Sequence, residues 1–192
     1  TGAPFHAHPT SKAVLGASAG RGGGRGGDTP PVPVPSQVVP DKTVLKLGGT
    51  EIQLLFLGPA HTGGDLSVYL PKERILFMSE AYLNRIFPAM RSAYPSEWIA
   101  VIDRAQKMPA DIYVPGHGFV EPPAILKEEL ETYKEGLVQV VAEAKRLHDA
   151  KVAVDEAVTQ AKFGDLETWT LRQSQGATAI RRVYLELDGK LK

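Results

Sequence analysis

The sequence has no cysteine, no net charge and no long apolar run, and each absence excludes a class of function. Without cysteine, the 192-residue chain has no disulfide, thiol nucleophile or thiolate metal ligand. Its 22 basic and 22 acidic residues cancel, so bulk charge favours neither nucleic acid nor an anionic membrane. No run approaches the roughly 18 apolar residues of a membrane span. Any metal ion must therefore be bound by histidine, carboxylate or water.

The composition is that of an ordinary globular protein. Apolar residues make up 43% of the chain and charged residues 23%, which predicts a domain with a real core, alone or with a helical tail. No signal peptide is visible, and the composition fits a cytoplasmic location as well as a periplasmic or secreted one. The glycine- and proline-rich segment 18–40 predicts a flexible connection. Its Arg-Gly tract at 20–27 has too few arginines to favour RNA binding.

Three potential metal ligands follow three predicted strands. His61 lies in the turn after the apolar segment 52–57, Glu80 follows the strand at 75–78, and His117 follows the strand at 111–115. Strands are rigid, and loops at strand ends converge. Two imidazoles and one carboxylate give the three protein ligands of a catalytic zinc site. The pattern therefore predicts a hydrolytic metal centre.

Each of these residues also has an ordinary interpretation. A lone histidine after a strand is more often a hydrogen-bonded turn residue than a ligand, and a glutamate there is usually solvated. The glycines beside both histidines, Gly63, Gly64, Gly116 and Gly118, change this balance. They allow unusual backbone angles and close approach, which a loop facing a metal needs more often than a plain turn does.

These segments resemble three motifs of the metallo-β-lactamase superfamily. They read AHTGGD at 60–65, ILFMSE at 75–80 and VPGHG at 114–118, in the order found in that family. The resemblance implies an α/β fold, the αββα sandwich, with one or two zinc ions between its sheets and a bound hydroxide that attacks a carbonyl or phosphoryl centre. It also implies that His61 belongs to one metal and His117 to the other, and that the carboxylate of Glu80 bridges them.

The sequence departs from the family pattern in two places. Ser79-Glu80 replaces a Gly-Asp pair, and the first motif, H-x-H-x-D-H, has no good counterpart. The segment with His6 and His8 carries Thr10 and Ser11 where that motif has aspartate and histidine. It matches a later strand-then-helix segment of the family better. We therefore expect a sandwich that is incomplete in its N-terminal half.

An incomplete sandwich has two expected consequences. Metal affinity should fall well below that of an intact site, unless His6, His8 or another subunit completes the ligand set. The absent half-sheet should also leave an apolar face and a free strand edge. Pairing of two copies would cover that face. We therefore predict a homodimer.

The remaining elements are predicted from turn signals and helical periodicity. Gly48-Gly49 predicts a hairpin. The loop 82–94 at the mouth of the site offers Asn84, Arg91 and Tyr94 as substrate contacts, with a plain covering loop as the alternative. Helices are expected from a Ser96 N-cap onward, from Pro122-Pro123 to about 148, at 155–162 and at 177–187. This divides the chain into a core at 1–121 and a helical region at 122–192.

Two functions follow as hypotheses. The first is a metal-dependent hydrolase with His61, Glu80 and His117 as its metal and catalytic residues, acting on an ester, lactone, thioester or β-lactam. The second is a metal-poor relative that keeps the fold as a binding or assembly module. The substrate is not predicted, because specificity depends on loops outside the motifs.

Overall fold

The computed structural model describes residues 3–19 and 33–191, and the Arg-Gly tract at 20–27 lies outside them. The strands are β1 (His6–Ala7), β2 (Gln37–Val38), β3 (Lys42–Leu47), β4 (Thr50–Leu55), β5 (Ser67–Leu70), β6 (Ile75–Phe77) and β7 (Ile112–Val114). The helices are α1 (Pro9–Ala19), α2 (Pro95–Gln106), α3 (Lys127–Asp149), α4 (Val154–Gln160) and α5 (Arg172–Leu187). Two short 3₁₀ helices lie at Ser79–Ala81 and Gly164–Thr168.

Five strands form the main sheet in the order β3-β4-β5-β6-β7. The first four strands are consecutive in sequence and pair in antiparallel fashion. Short turns join β3 to β4 and β5 to β6, whereas the longer loop 56–66, which carries His61, joins β4 to β5. Gly48 and Gly49 have φ angles of 55° and 83° and form the two-residue turn between β3 and β4. Both angles are positive, as a turn that matches the strand twist requires. The predicted hairpin is confirmed.

The last two strands of the sheet are parallel, and this places the candidate site. Strand β6 pairs with β7 through the register Phe77↔Val114, and α2 forms the crossover between them. Parallel neighbours end at the same edge of a sheet. The residues that follow β6 and β7 therefore emerge side by side, and they include Glu80 and His117.

One face of the sheet packs against the helices. Tyr69, Leu76 and Tyr113 lie in register on this face and are buried. They join one continuous core with apolar residues of α2, α3 and α5. Both parts of the predicted division at residue 121 contribute to this core, and the division itself stays a prediction. No helix in the described ranges is long and apolar enough to cross a membrane.

The opposite face of the sheet is apolar, and the described residues leave most of it only partly buried. None of its half-exposed or exposed apolar side chains belongs to the core that the described residues form. We call this surface the open face; strand alternation and register assign it Leu45, Ile52, Val68, Leu70, Ile75, Phe77, Ile112 and Val114. The incompleteness of the sandwich itself stays a prediction.

Several helix boundaries differ from those predicted. Helix α2 begins at Pro95 with Tyr94 in the N-cap position, so the prediction of Ser96 as N-cap is wrong. Proline fixes φ at its helical value and is favoured at the first helical position. The Ser96 hydroxyl lies inside the first turn and donates instead to the Glu186 carboxylate of α5, 2.7 Å away.

Helix α3 begins at Lys127, five residues after Pro122, because the preceding segment is bound to the sheet in a non-helical form. The Tyr113 N–H donates to the Ile125 carbonyl at 2.8 Å, and the Tyr82 hydroxyl donates to the Ala124 carbonyl at 2.9 Å. Helix α5 begins at Arg172 rather than at 177. Periodicity identified the apolar stripes of these helices but did not give their first residues.

Candidate functional site

Glu80 and His117 are in direct contact at the edge of the sheet where β6 and β7 end. His117 Nε2 lies 2.7 Å from Glu80 Oε1, and the side chains are 63% and 34% exposed. Two backbone contacts fix the loops that carry them. The Gly116 N–H donates to the Ser79 carbonyl at 2.9 Å, and the Asn84 N–H donates to the His117 carbonyl at 3.0 Å. The pair is therefore held by the backbone as well as by its own contact.

The loops approach each other closely enough to require glycine. A Cβ atom at Gly116 would lie 2.5 Å from the Ser79 carbonyl oxygen. Gly118 has a φ of 98°, and a Cβ there would meet the Asn84 carbonyl. Ser79 itself has a φ of 52°, a left-handed conformation at the position where the resembled family has glycine. The strain lies immediately before Glu80.

His61 is positioned by a separate hydrogen-bonded turn. Asp65 accepts from the Thr62 N–H at 2.6 Å and from the Thr62 hydroxyl at 2.8 Å. Burial raises the pKa of Asp65, and the bonds from Thr62 and the charge of His61 offset part of that rise. Gly64 packs against the backbone of Ser11, so α1 supports the turn. The His61 ring lies edge-on to Trp98 at 5.8 Å between centroids, and its Nδ1 is buried without a partner.

The three predicted ligands do not form one ligand group in this structure. Within residues 3–19 and 33–191, no three or more histidine, aspartate or glutamate side chains are placed to hold a single metal ion. Glu80 and His117 offer two adjacent donors, and the Nδ1 of His61 has no hydrogen-bond partner among the described residues. A catalytic zinc takes three protein ligands. The described residues therefore fit one side of a metal centre but not a complete one, and the three-ligand set stays a prediction.

His6 and His8 also lie apart from the contacting pair. His8 stacks on Phe56 with ring centroids 3.9 Å apart, and burial lowers its pKa. The Nδ1 of His6, in β1, is buried without a partner. Strand β1 followed by α1 has the predicted strand-then-helix order, and the absence of the first motif stays a prediction.

The three predicted substrate contacts have different surroundings. Asn84 is only 2% exposed, and its Nδ2 donates to the carbonyls of Phe119 and Ala124 at 3.3 and 3.1 Å. Its amide therefore ties together the loops around His117. Arg91 is exposed, and Tyr94 lies beside the Arg182 guanidinium at the wall of a cavity of about 620 Å³. A substrate role for these residues stays a prediction.

Sequence reasoning missed the aromatic residues beneath the site. Trp98 donates from Nε1 to the Ala81 carbonyl at 2.9 Å and packs against His61 and Tyr133. Tyr133 lies on α3 between the buried Leu130 and Leu137. The periodicity of α3 indicated only packing. The signal available in the sequence was the hydroxyl of Tyr133, a polar group in an otherwise aliphatic core stripe.

A sequence profile of the metallo-beta-lactamase superfamily matches residues 3–117, more than half of the chain. The chain therefore belongs to the metallo-β-lactamase superfamily, and the predicted fold class is confirmed. A metallo-beta-lactamase from Pontibacter korlensis has a similar fold, with a TM-score of 0.58 and 21% identity over 71% of this chain and 59% of that one.

Two curated proteins are similar to parts of the chain. The 2,4-dinitroanisole O-demethylase subunit alpha of Nocardioides sp. (strain JS1661) is 28% identical over 78 residues, which are 40% of this chain and 24% of that protein. The linear primary-alkylsulfatase of Pseudomonas sp. (strain ATCC 19151) is 24% identical over 162 residues, which are 78% of this chain and 30% of that protein. The chain thus spans less than a third of either relative.

Proposed function

We propose that this chain carries part of the active site of a metal-dependent hydrolase that cleaves ester-type bonds. The observation that carries the proposal is the 2.7 Å contact between Glu80 and His117, two residues of the superfamily motifs, at the ends of parallel strands. The sequence alone suggests carboxyl esters, lactones, thioesters and β-lactams. The similarity to an alkylsulfatase over most of the chain adds sulfate esters and favours them.

The Glu80–His117 pair can hold one proton between a carboxylate oxygen and an imidazole nitrogen. With further ligands, the same two donors would hold a metal ion in place of that proton. Zinc held there would supply activation of a water molecule near neutral pH. Because the described residues give only two adjacent donors, we propose that His61 completes the site, with His6, His8 or another subunit as the alternatives.

Metal binding and hydrolysis can be tested on the purified chain. We expect zinc by elemental analysis, and chelator-sensitive hydrolysis of p-nitrophenyl sulfate or p-nitrophenyl acetate. Glu80→Ala and His117→Ala should each abolish both. His148→Ala is the matched control, because this histidine pairs with Asp188 at 3.0 Å, away from the site. Loss of zinc and of activity in the control as well would show that the assay reports general unfolding.

The alternative is a metal-poor member of the fold that acts as a binding or assembly module. The observation that favours it is the absence of a three-ligand group among the described residues. In that case His61→Ala and His117→Ala leave metal content and every measured activity unchanged, and the unsubstituted chain binds no zinc. That result would refute hydrolysis by this chain.

We also propose that a second copy covers the open face. Five strands about 4.8 Å apart and about five residues long give a footprint of roughly 20 by 15 Å. Such a footprint is well below the roughly 800 Å² that each partner buries in a standard interface, so we expect a weak dimer, with monomer and dimer both populated in the micromolar range.

Light scattering over a concentration series tests the dimer. Phe77→Lys places a charge on the open face, where Phe77 is 39% exposed, and should give a monomer. Val138→Lys on α3, where Val138 is 44% exposed, should leave the dimer unchanged. A monomeric parent chain throughout the micromolar range would refute the proposal.

A further inference from the structure

Tyr133 has a hydroxyl group that its surroundings do not satisfy. The residue lies in the middle of α3, is 1% exposed, and has no hydrogen-bond partner for its hydroxyl. A buried hydroxyl without a partner lowers stability, whereas phenylalanine would fill the same space without that penalty. Tyrosine at this position would be explained by a hydrogen-bond acceptor that the hydroxyl reaches when nearby side chains adopt another arrangement.

The aromatic neighbours of Tyr133 direct attention to the turn that carries Glu80. Its ring lies 5.5 Å from that of Tyr82 and 6.3 Å from that of Trp98. Tyr82 donates to the Ala124 carbonyl and Trp98 donates to the Ala81 carbonyl. The hydrogens of both neighbours are therefore engaged. The Trp98 bond holds the 3₁₀ turn Ser79–Ala81 against the ring cluster that contains Tyr133.

Glu80 is the charged acceptor next to this cluster. Burial raises the pKa of Tyr133, and the charge of Glu80 is the next largest cause of the rise. Glu80 contacts His117 through Oε1, and the lone pairs of its second oxygen can accept from another donor. A carboxylate is a stronger acceptor than a neutral oxygen. A hydrogen bond between them requires another side-chain arrangement of Glu80, because the Tyr133 hydroxyl has no partner among the described residues.

We propose that Tyr133 is a positioning residue for Glu80, with its hydroxyl donating a hydrogen bond to the Glu80 carboxylate. Glu80 is then held from the core by Tyr133 and from the surface by His117. The inference rests on the proposed function in one respect, because the proposed function makes Glu80 a residue of the active site. It also gives the C-terminal helical region, which periodicity predicts only to pack, a residue that acts on the site.

A double-mutant cycle between Tyr133→Phe and Glu80→Ala tests the bond. Urea unfolding should show that Tyr133→Phe raises the unfolding constant about tenfold in the parent chain and less than twofold in the Glu80→Ala background. Tyr82→Phe is the matched control. Its hydroxyl is bound to Ala124, so its effect should be equal in both backgrounds.

Nuclear magnetic resonance of the His117 ring nitrogens distinguishes a positioning role of Tyr133 from a purely structural one, because these signals would not change if Tyr133 only packed in the core. Tyr133→Phe should shift these signals, because Glu80 loses one of its two anchors, while Tyr82→Phe should not. An equal effect of Tyr133→Phe in both backgrounds, or unchanged His117 signals, would overturn the proposal. Neither measurement uses turnover, so inactivity with intact coupling would refute only the proposed hydrolase.

Discussion

Gly116→Ala should separate the two loops that bring Glu80 and His117 together. The new Cβ would lie 2.5 Å from the Ser79 carbonyl oxygen, about 0.9 Å short of the 3.4 Å at which ordinary contact begins. Both groups are backbone, so no side-chain rotation relieves the overlap. Overpacking of this kind costs about 1–3 kcal/mol. Loss of the Gly116 bond to Ser79 adds about 1 kcal/mol, and we expect destabilisation of about 2–4 kcal/mol.

Urea unfolding followed by tryptophan fluorescence measures this loss, since Trp98 and Trp169 are buried. Gly16→Ala is the control, because Gly16 lies within α1 and an added Cβ there meets nothing within 4 Å. It should stabilise the chain by about 0.5–1 kcal/mol. The reasoning fails if Gly116→Ala unfolds within about 0.5 kcal/mol of the parent and leaves the ring signals of His117 unchanged.

Three further changes test other parts of the structure. Ser79→Gly relieves a left-handed φ of 52° and should stabilise the chain by about 0.5–1 kcal/mol, after the entropy cost of glycine; lower stability by urea unfolding would contradict this. The hydrogen bond from Arg146 lowers the pKa of Glu143 below its ordinary 4.5, so its contribution is present above that value and is lost as pH falls through the folded pKa. Glu143→Gln should therefore flatten the fall of unfolding free energy with acid in that window, and an unchanged acid profile would contradict this. Leu76→Ala, at a fully buried position of β6, should cost about 2–5 kcal/mol, whereas Leu47→Ala at the exposed hairpin should cost under about 0.5 kcal/mol; similar losses would place the core incorrectly.

The sequence predicts the Glu80–His117 pair because local rules act in the same direction there. Apolar strands and glycine at the approach points predict that the loops at the strand ends converge, and the parallel pairing of β6 with β7 in the structure explains why these two ends are adjacent. The hairpin at Gly48-Gly49 is predictable for the same reason, since its turn chemistry is local. Each of these features depends on a short segment whose conformation few residues determine.

Other features depend on contacts between distant segments, which one sequence does not reveal. The N-terminus of α2 is bound by Glu186 from α5, so the local signal at Ser96 misplaced the cap. Burial of Asn84 depends on the carbonyls of the loop at 119–124. The position of His61 relative to the other two ligands likewise depends on packing around Trp98. The spacing of these residues along the chain does not predict that packing.

Trp98 joins the two separately built parts of the site. Its indole N–H binds the carbonyl of Ala81, one residue after Glu80, and its ring edge packs against His61. The pair at the ends of β6 and β7 is set by strand register, while the His61 turn is set by Asp65 and α1. Since α2 carries Trp98 between these two scaffolds, its indole contacts both of them. We therefore expect the packing of this indole to influence whether the imidazole of His61 can join the other two donors.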